Sequence, residues 1–518
     1  MGTVSESIEP QRSGIAATTD AVWLILPGYV SQILMVGLAL LLRRVLGPAG
    51  MGYVAVTGLA TSYASYLSLG AMQAAEREIP IAIAHRDEAE ARALESAGVA
   101  VALVVSAAVC GALLVIGASR SGSDALLGAA LICGSTVMLL QQISNWATVR
   151  LRTRLRFSAL GRWTAAAAVS GSILTVVGAL VDGAAGALVG VFAGGALQAA
   201  VLWRVAGLGG LEVPSRASIR RLAALSPAFF ASGVSATLLL TVDQLAVGFM
   251  LGTVSLGLYS AAYLGNGFAL RVPTLVGTVI YPRLQRELGI TSDPARVFAM
   301  TARTTGAIAV GIPLLVAAFF VGLPALVFVV LPEFRGAIWP MRLLLVGVAG
   351  IAFGMPGSHY LITVNRQWQQ VAISLSVLGF MAGAYLAAGA NGMMSLQVAA
   401  GVDVVAYFAY GIAMQEAARR VASQPAGPLL RLMPIYLLPA IELLAGAAVA
   451  DALVPRLDAI GVVLHAGLQG GLFGLTWASL AGLRLRAHQE SREDLSMVLA
   501  LVRQAARRIS STLGRHWE

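Results

Sequence analysis

Long apolar segments recur along the whole chain and alternate with short polar stretches rich in arginine, glycine and proline. An α-helix needs about 20 predominantly apolar residues to cross the hydrocarbon core of a bilayer. This length predicts about fourteen membrane-spanning helices, and therefore an all-α polytopic membrane protein. The predicted spans are residues 21–42, 51–75, 97–118, 125–147, 163–181, 184–205, 225–250, 256–281, 304–330, 337–363, 369–388, 393–417, 432–452 and 459–483.

Composition excludes a soluble protein. Hydrophobic residues make up 58% of the chain and charged residues only 12%, with a mean hydropathy of +0.81. A soluble globular protein carries roughly 25% charged residues, which it needs to cover a water-facing surface. The two cysteines, Cys110 and Cys133, fall inside apolar segments, so their spacing predicts no disulfide framework, and the sequence indicates no metal site.

The basic residues indicate a topology. All 35 are arginine, and 28 of them fall in alternate loops or at the two termini. Because arginine accumulates in cytoplasmic loops, both termini are expected on the cytoplasmic side of the membrane. The run Arg150, Arg152, Arg154 and Arg156 lies on that side between two spans. We therefore expect it to contact anionic membrane lipids and expect no nucleic acid partner.

An internal repeat divides the chain. Leu46-Gly47 is followed by Gly52-Tyr53, and Leu251-Gly252 is followed by Gly257-Leu258-Tyr259, about 205 residues later. Both copies follow the same position in consecutive groups of six spans, which predicts two six-helix bundles related by a repeat, plus a terminal helix pair. The predicted parts are a cytoplasmic N-terminal segment 1–20, bundles 21–205 and 225–417, a linker 206–224, a loop 418–431, the terminal pair 432–484 and a cytoplasmic amphipathic tail 485–518.

Four stretches carry a family resemblance: 41–53, with Arg43-Arg44-Val45-Leu46-Gly47-Pro48; 68–80, reading SLGAMQAAEREIP; 241–284, with Asp243-Gln244 and then Gly257-Leu258-Tyr259-Ser260-Ala261-Ala262; and 331–345, beginning Leu331-Pro332-Glu333-Phe334. In these stretches the chain resembles the polysaccharide exporters, or lipid-linked oligosaccharide flippases, of the multidrug/oligosaccharidyl-lipid/polysaccharide (MOP) superfamily. One departure is Gln244, where that family commonly has arginine after the aspartate.

The resemblance implies a V-shaped pair of bundles in the bacterial inner (cytoplasmic) membrane. It moves an oligosaccharide, carried on an undecaprenyl-type phosphate, from the inner to the outer leaflet by alternating access. Such transport serves cell-surface polysaccharide biosynthesis, with a polymerase and glycosyltransferases as partners. No cofactor is expected, and the protein is expected not to be an enzyme. A phosphate-binding P-loop requires a lysine, and the chain has none. An ion gradient, the membrane potential or the substrate gradient must then supply the energy.

Polar residues within the spans are the site candidates, because ionisable groups in a bilayer are costly. Asp243 and Arg271 either form an ion pair or separately meet a cation and a phosphate. Tyr66, Gln73 and Arg77 share one face of the second predicted span, where Arg77 either binds phosphate or simply pairs with a neighbouring glutamate. Tyr259, Tyr263 and Asn266 line the eighth span or belong to an interfacial belt.

Asp403, Glu442 and His465 are the remaining titratable candidates inside spans. Each is suited to coupling transport to an ion, and Glu442 and His465 are equally suited to hydrogen bonding across the terminal pair. Three other functions remain open. A cation-coupled multidrug exporter and a peptidoglycan-precursor flippase belong to the same superfamily, whereas a membrane-embedded glycosyltransferase would need a catalytic base and usually a large outer loop.

Overall fold

The computed structural model describes residues 14–154, 156–207, 214–425, 427–453, 461, 467–471 and 473–474, and every regular element in these ranges is helical. The predicted all-α class is confirmed. Two short 3₁₀ segments, Ala64–Tyr66 and Pro332–Ala337, accompany the α-helices. The helices are α1 Gly14–Ser62, α2 Ala71–Ala84, α3 Glu88–Arg120, α4 Ala125–Thr153, α5 Phe157–Ala206, α6 Arg216–Leu239, α7 Val242–Thr291, α8 Pro294–Val330, α9 Ile338–Thr363, α10 Gln367–Ala390, α11 Leu396–Val421 and α12 Gly427–Leu453.

Ten helical segments of the described residues are long and apolar enough to cross a membrane. Fewer segments than predicted are counted because α1 and α5 are each counted once, and neither α12 nor the last predicted span is among the ten. Helices α1, α5 and α7 each run through more than one predicted span. Their interiors contain non-helical residues that separate the arms, namely Gly47 in α1, Asp182 and Gly183 in α5, and Gly252 in α7. Most of the last predicted span and the whole predicted tail 485–518 lie outside the described residues, so fourteen spans stay a prediction.

The two arms of α5 form a hairpin held together at glycines. A methyl group added at Gly178 would collide with the carbonyl oxygen of Gly186, and one added at Gly194 would lie 2.7 Å from Cα of Gly171. Small residues at such positions let helix backbones approach closely, which is how helices associate in lipid. The turn itself needs only Asp182 and Gly183, the latter with φ of 52°.

The described chain divides into two compact units. Unit 1 contains the residues up to Leu46 together with Val56–Phe230, and unit 2 contains Gly47–Ala55 and the chain from Ala231 onward. The core of unit 1 is built from α2, α3, α4 and the neighbouring ends of α5 and α6. Its fully buried side chains include Leu94, Ala147, Leu151, Leu202 and Leu222.

Unit 2 is organised around α9, whose residues are mostly buried. Helix α11 packs directly on it, and a methyl group added at Gly350 would lie 2.6 Å from the backbone nitrogen of Phe408. Gly411 on α11 is equally close to the backbone of α9 at Gly350. This close backbone contact fixes the position of α11, and therefore of Asp403, within unit 2.

Candidate functional site

Two buried aspartates of unit 2 form the centre of the candidate site. Asp243 lies in the first turn of α7 and Asp403 lies on α11, and both have no exposed surface. Their carboxyl groups are within hydrogen-bonding reach of each other. No ion pair of the described residues includes either aspartate. Two carboxylates this close, shielded from water, repel each other unless a proton or another cation accompanies them.

Tyrosines surround the acidic pair. The Tyr259 hydroxyl donates to Oδ2 of Asp403 at 3.1 Å, and the Tyr385 hydroxyl donates to Oδ1 of the same residue. Tyr263 lies 2.6 Å from Oδ2 of Asp243. Tyr407 is fully buried, and neither its hydroxyl nor Oδ1 of Asp243 has a hydrogen-bond partner in the described chain. These neutral hydroxyls solvate the carboxyl groups without neutralising them.

A break between α6 and α7 positions Asp243. The chain leaves α-helical hydrogen bonding at Leu240 and Thr241, whose amides bond three residues back, to the carbonyl oxygens of Thr237 and Leu238. The Tyr263 hydroxyl lies 2.9 Å from the carbonyl oxygen of Leu240. A broken helix exposes backbone groups inside a membrane protein, and the positive end of the new helix favours a carboxylate in its first turn.

The other two predicted residues of α7 differ in their surroundings. Asn266 is 1% exposed, and neither of its amide atoms has a hydrogen-bond partner among the described residues. Arg271 is exposed. The partner of Asp243 is therefore Tyr263 and not Arg271, and the ion-pair alternative for these two residues is wrong. Their roles in a substrate cavity stay predictions.

The structure interrupts the second predicted span. Leu69 and Gly70 have φ of 48° and 84°, so the helix stops after the 3₁₀ segment that ends at Tyr66 and restarts as α2. The predicted continuous helical face of Tyr66, Gln73 and Arg77 is wrong for this reason. Gln73 instead folds back on the break, where its Nε2 donates to the carbonyl oxygen of Ser65 at 3.2 Å.

Arg77 lies beyond the break with a guanidinium that is largely free of protein contacts. Its side chain is 60% exposed, and its nearest acidic partner, Glu78, is 4.0 Å away. Glu78 makes a much closer pair with Arg221, at 2.6 Å. The predicted pairing of Arg77 with a neighbouring glutamate is thus weak, and the guanidinium is accessible to an anion.

Three of the four arginines predicted to contact lipid headgroups pair with glutamates. Arg150 lies 3.4 Å from Glu95 and Arg152 lies 3.2 Å from Glu76. Arg154 lies 3.6 Å from Glu88. The last two pairs are exposed and contribute little to stability, about 0–1 kcal/mol each, whereas Glu95 is buried. They do neutralise part of the basic charge, which lowers the affinity expected for anionic lipids.

The remaining coupling candidates are not brought to the acidic pair by any contact that the structure describes. Glu442 on α12 is partly buried, and its Oε2 has no hydrogen-bond partner among the described residues. His465 lies outside the described residues. No group of three or more histidines, cysteines, aspartates or glutamates in the described ranges is arranged to hold a metal ion.

Comparison with known proteins gives the family. The sequence model of the family described as "Polysaccharide biosynthesis protein" matches residues 17–287. The chain belongs to the polysaccharide biosynthesis protein family. A search of curated proteins finds no match to the chain.

Solved structures share the fold of this polysaccharide biosynthesis family member. A structure of the lipid II flippase MurJ in an inward closed conformation has a TM-score of 0.62 at 13% identity, covering 90% of this chain and 99% of MurJ. An inward-facing multidrug resistance MATE family transporter has a TM-score of 0.61 at 15% identity, covering 78% and 98%. A MOP superfamily transporter from Pyrococcus furiosus has a TM-score of 0.50 at 16% identity, covering 78% and 93%. The predicted MOP fold and the multi-pass membrane class are confirmed.

In this polysaccharide biosynthesis family member, sequence reasoning missed two tyrosines of the site. Tyr385 and Tyr407 lie within the predicted spans 369–388 and 393–417 but were not among the candidates. A usable signal was present, because a tyrosine in the middle of an apolar span must find a partner for its hydroxyl or line a polar site. The partner, Asp403, is 18 residues from Tyr385, on a different helix.

Proposed function

We propose that the protein is a flippase that moves a lipid-linked oligosaccharide, on an undecaprenyl-type phosphate carrier, from the inner to the outer leaflet of the bacterial cytoplasmic membrane. The family match over residues 17–287 supports a role in polysaccharide biosynthesis. The fold supports a transport mechanism, because structures that share it include proteins named as a flippase and as a transporter. Alternating access without ATP hydrolysis completes the proposal.

Protonation of the Asp243–Asp403 pair supplies the coupling in this proposal. The observation that carries it is that both carboxyl groups are fully buried beside each other among tyrosine hydroxyls, and that neither makes an ion pair within the described residues. One proton removes the repulsion between the two groups, and its release restores it. The pair therefore favours different arrangements of α7 and α11 in its two protonation states.

Tyr263 connects this proton to the helix break. Its hydroxyl has one hydrogen and two neighbouring acceptors, Asp243 and the carbonyl oxygen of Leu240. When Asp243 is protonated it can donate to the tyrosine oxygen, and the tyrosine hydrogen stays on the Leu240 carbonyl. When Asp243 is ionised it accepts the tyrosine hydrogen, and the Leu240 carbonyl loses its donor. Proton release thus weakens the bond that closes the break between α6 and α7.

Arg77 in unit 1 is proposed to bind the phosphate of the carrier, and Arg271 in unit 2 is a separate candidate for the same role. Both are exposed, and Arg77 has only the 4.0 Å contact with Glu78 competing for its guanidinium. A planar guanidinium donates two parallel hydrogen bonds to phosphate, which makes arginine suited to this group. Tyr66 and the polar groups near the second-span break are the proposed sugar contacts.

Transport in proteoliposomes tests the proposal. The probe is a fluorescent undecaprenyl diphosphate carrying a short sugar chain, and its movement is measured under an imposed pH gradient. We expect movement that responds to the gradient, loss of the response in Asp243→Asn and Asp403→Asn, and an unchanged response in Asp182→Asn, which alters an exposed turn. A wild-type response to Na⁺ but not to pH would overturn proton coupling. Movement of cationic drugs without movement of the lipid would overturn the flippase assignment.

A further inference from the structure

The two copies of the internal repeat adopt the same unusual backbone conformation. Gly47 has φ of 62° and ψ of −177°, and Gly252 has φ of 84° and ψ of 178°. This combination of positive φ with extended ψ is almost exclusive to glycine. In each copy the chain therefore bends at the glycine that follows leucine and re-enters a helix immediately. We name the segments Gly47–Tyr53 and Gly252–Leu258 the first turn and the second turn.

The first turn and the second turn pack against each other reciprocally. A methyl group added at Gly52 would collide with the carbonyl oxygen of Thr253, and one added at Gly257 would collide with the carbonyl oxygen of Pro48. In each turn the contacting glycine is five residues after the bend, and the contacted carbonyl belongs to the first residue after the bend. The same contact is made twice in opposite directions, as in a two-fold symmetric interface.

The surroundings of this contact are close-packed. Both contacting glycines, Gly52 and Gly257, are buried. The apolar residue before each of them is buried as well, with Met51 4% exposed and Leu256 1% exposed. The segment Gly47–Ala55 belongs to unit 2, although the chain before and after it belongs to unit 1. The first turn is thus held in unit 2 by packing and not by its position in the sequence.

We propose that the first and second turns form a self-complementary latch that keeps the outer end of the transport path closed in this conformation and separates when that end opens. This inference rests on the proposed transport function and topology, which place both turns on the outer side. Because no side chain fits between the two backbones, the contact is either fully made or lost, as a two-state element requires. The contact needs no ion pair to break, so it can open and close at low energetic cost.

Reciprocity gives the latch a distinctive signature in mutants. Gly52→Ala and Gly257→Ala act on opposite halves of one contact, so either substitution is expected to open the whole latch. The double variant then has little left to lose, and its effect is expected to equal that of a single variant and not their product. Gly58→Ala and Gly267→Ala are matched controls, since both positions are exposed and a methyl group there would meet no atom within 4 Å.

Labelling of a cysteine in the second turn measures the latch directly. Spheroplasts that contain the Thr253→Cys protein are treated from outside with a membrane-impermeant maleimide. The protein without this substitution gives the background labelling, which is expected to be low because its two native cysteines are buried. We expect labelling about tenfold faster in Gly52→Ala, in Gly257→Ala and in the double variant, and unchanged in the two controls. Equal rates in all variants, multiplicative effects in the double variant, or labelling only from the cytoplasmic side would overturn the latch.

This measurement needs no substrate, so it separates a failed latch from a failed flippase assignment. If an alanine variant does not accumulate, Pro48→Gly serves in its place, because it removes a rigid ring without adding an atom to the contact. Its labelling is expected to rise in the same direction, and an unchanged rate would contradict the proposal.

Discussion

Arg342 on α9 is 1% exposed and donates from Nη1 to Oδ2 of Asp451 on α12 at 3.1 Å. Its Nη2 donates to Oε1 of Gln469 at 3.2 Å, and its guanidinium lies 5.3 Å from the centre of the Trp339 ring. Arg342 lies inside the predicted span 337–363, and the structure shows that it joins the core of unit 2 to α12.

Removing this buried charge partner is expected to destabilise unit 2. Arg342→Met leaves Asp451 without its guanidinium, and breaking a buried pair typically costs about 3–5 kcal/mol. The double variant Arg342→Met, Asp451→Leu leaves no unpaired charge and is expected to recover much of the loss. Melting temperatures in detergent measure both effects. A double variant as unstable as Arg342→Met would contradict the assignment, and Arg335→Ala is the exposed control.

Tyr263→Phe is expected to uncouple transport from protons. The substitution removes the only hydrogen shared between Asp243 and the Leu240 carbonyl, and an unsatisfied buried acceptor costs about 1–3 kcal/mol. We expect a folded protein whose transport no longer responds to an imposed pH gradient. Thr274→Ala is the control on the same helix, because its hydroxyl bonds only within the helix backbone turn, to Leu270 at 2.7 Å. A normal gradient response in Tyr263→Phe would remove the tyrosine from the mechanism.

Glu95 is expected to be more important for stability than the exposed glutamates near it. Its side chain is 8% exposed, pairs with Arg150 and accepts a hydrogen bond from Nε1 of Trp146 at 2.7 Å. Glu95→Ala removes the acceptor of Trp146 and the ion-pair partner of Arg150 and is expected to cost about 3 kcal/mol, whereas Glu95→Gln keeps the bond to Trp146 and should cost less. Thermal denaturation followed by tryptophan fluorescence gives the ranking. Equal losses would show that the Trp146 bond contributes nothing, and Glu88→Gln is the exposed control.

Glycine substitutions within the α5 hairpin are expected to destabilise unit 1. Gly178→Ala places a methyl group against the backbone of Gly186, and overpacking of this kind costs about 1–3 kcal/mol. Gly161→Ala, on the same helix at an exposed position where a methyl group meets no atom within 4 Å, should be neutral or slightly stabilising. Melting temperatures of the two variants test the difference, and equal values would argue against the close approach.

The positions and helical nature of the spans were predictable because they depend on local apolar length. The breaks were harder, since single residues decide them. The left-handed conformation of Leu69 interrupts the second span although nothing in its residue type favours that conformation. Gly47 and Gly252 belong to the repeat that the sequence shows. Their similar backbone angles, and the packing of the two turns that they begin, involve residues about 205 positions apart, which the sequence does not bring together.

The sequence predicts the two acidic residues of the candidate site, but it does not predict that they contact each other. Asp243 and Asp403 stood out because each is ionisable within an apolar span, yet the sequence offered Arg271 as a partner and separated the two aspartates into different roles. Their contact depends on the close packing of α9 and α11, which glycines such as Gly350 and Gly411 permit. Arg342 also lies inside a predicted span, but it was not a candidate because its burial and its partners on α12 and beyond depend on the fold.

The hairpin of α5 also constrains how the protein is made. Its two apolar arms are joined by Asp182 and Gly183 alone, with no polar loop between them. During synthesis the second arm emerges from the ribosome directly after the first, with no basic loop between the two arms to fix an orientation for the second. We therefore expect the arms to enter the bilayer together as a preformed pair, with insertion of each dependent on the glycines of the other.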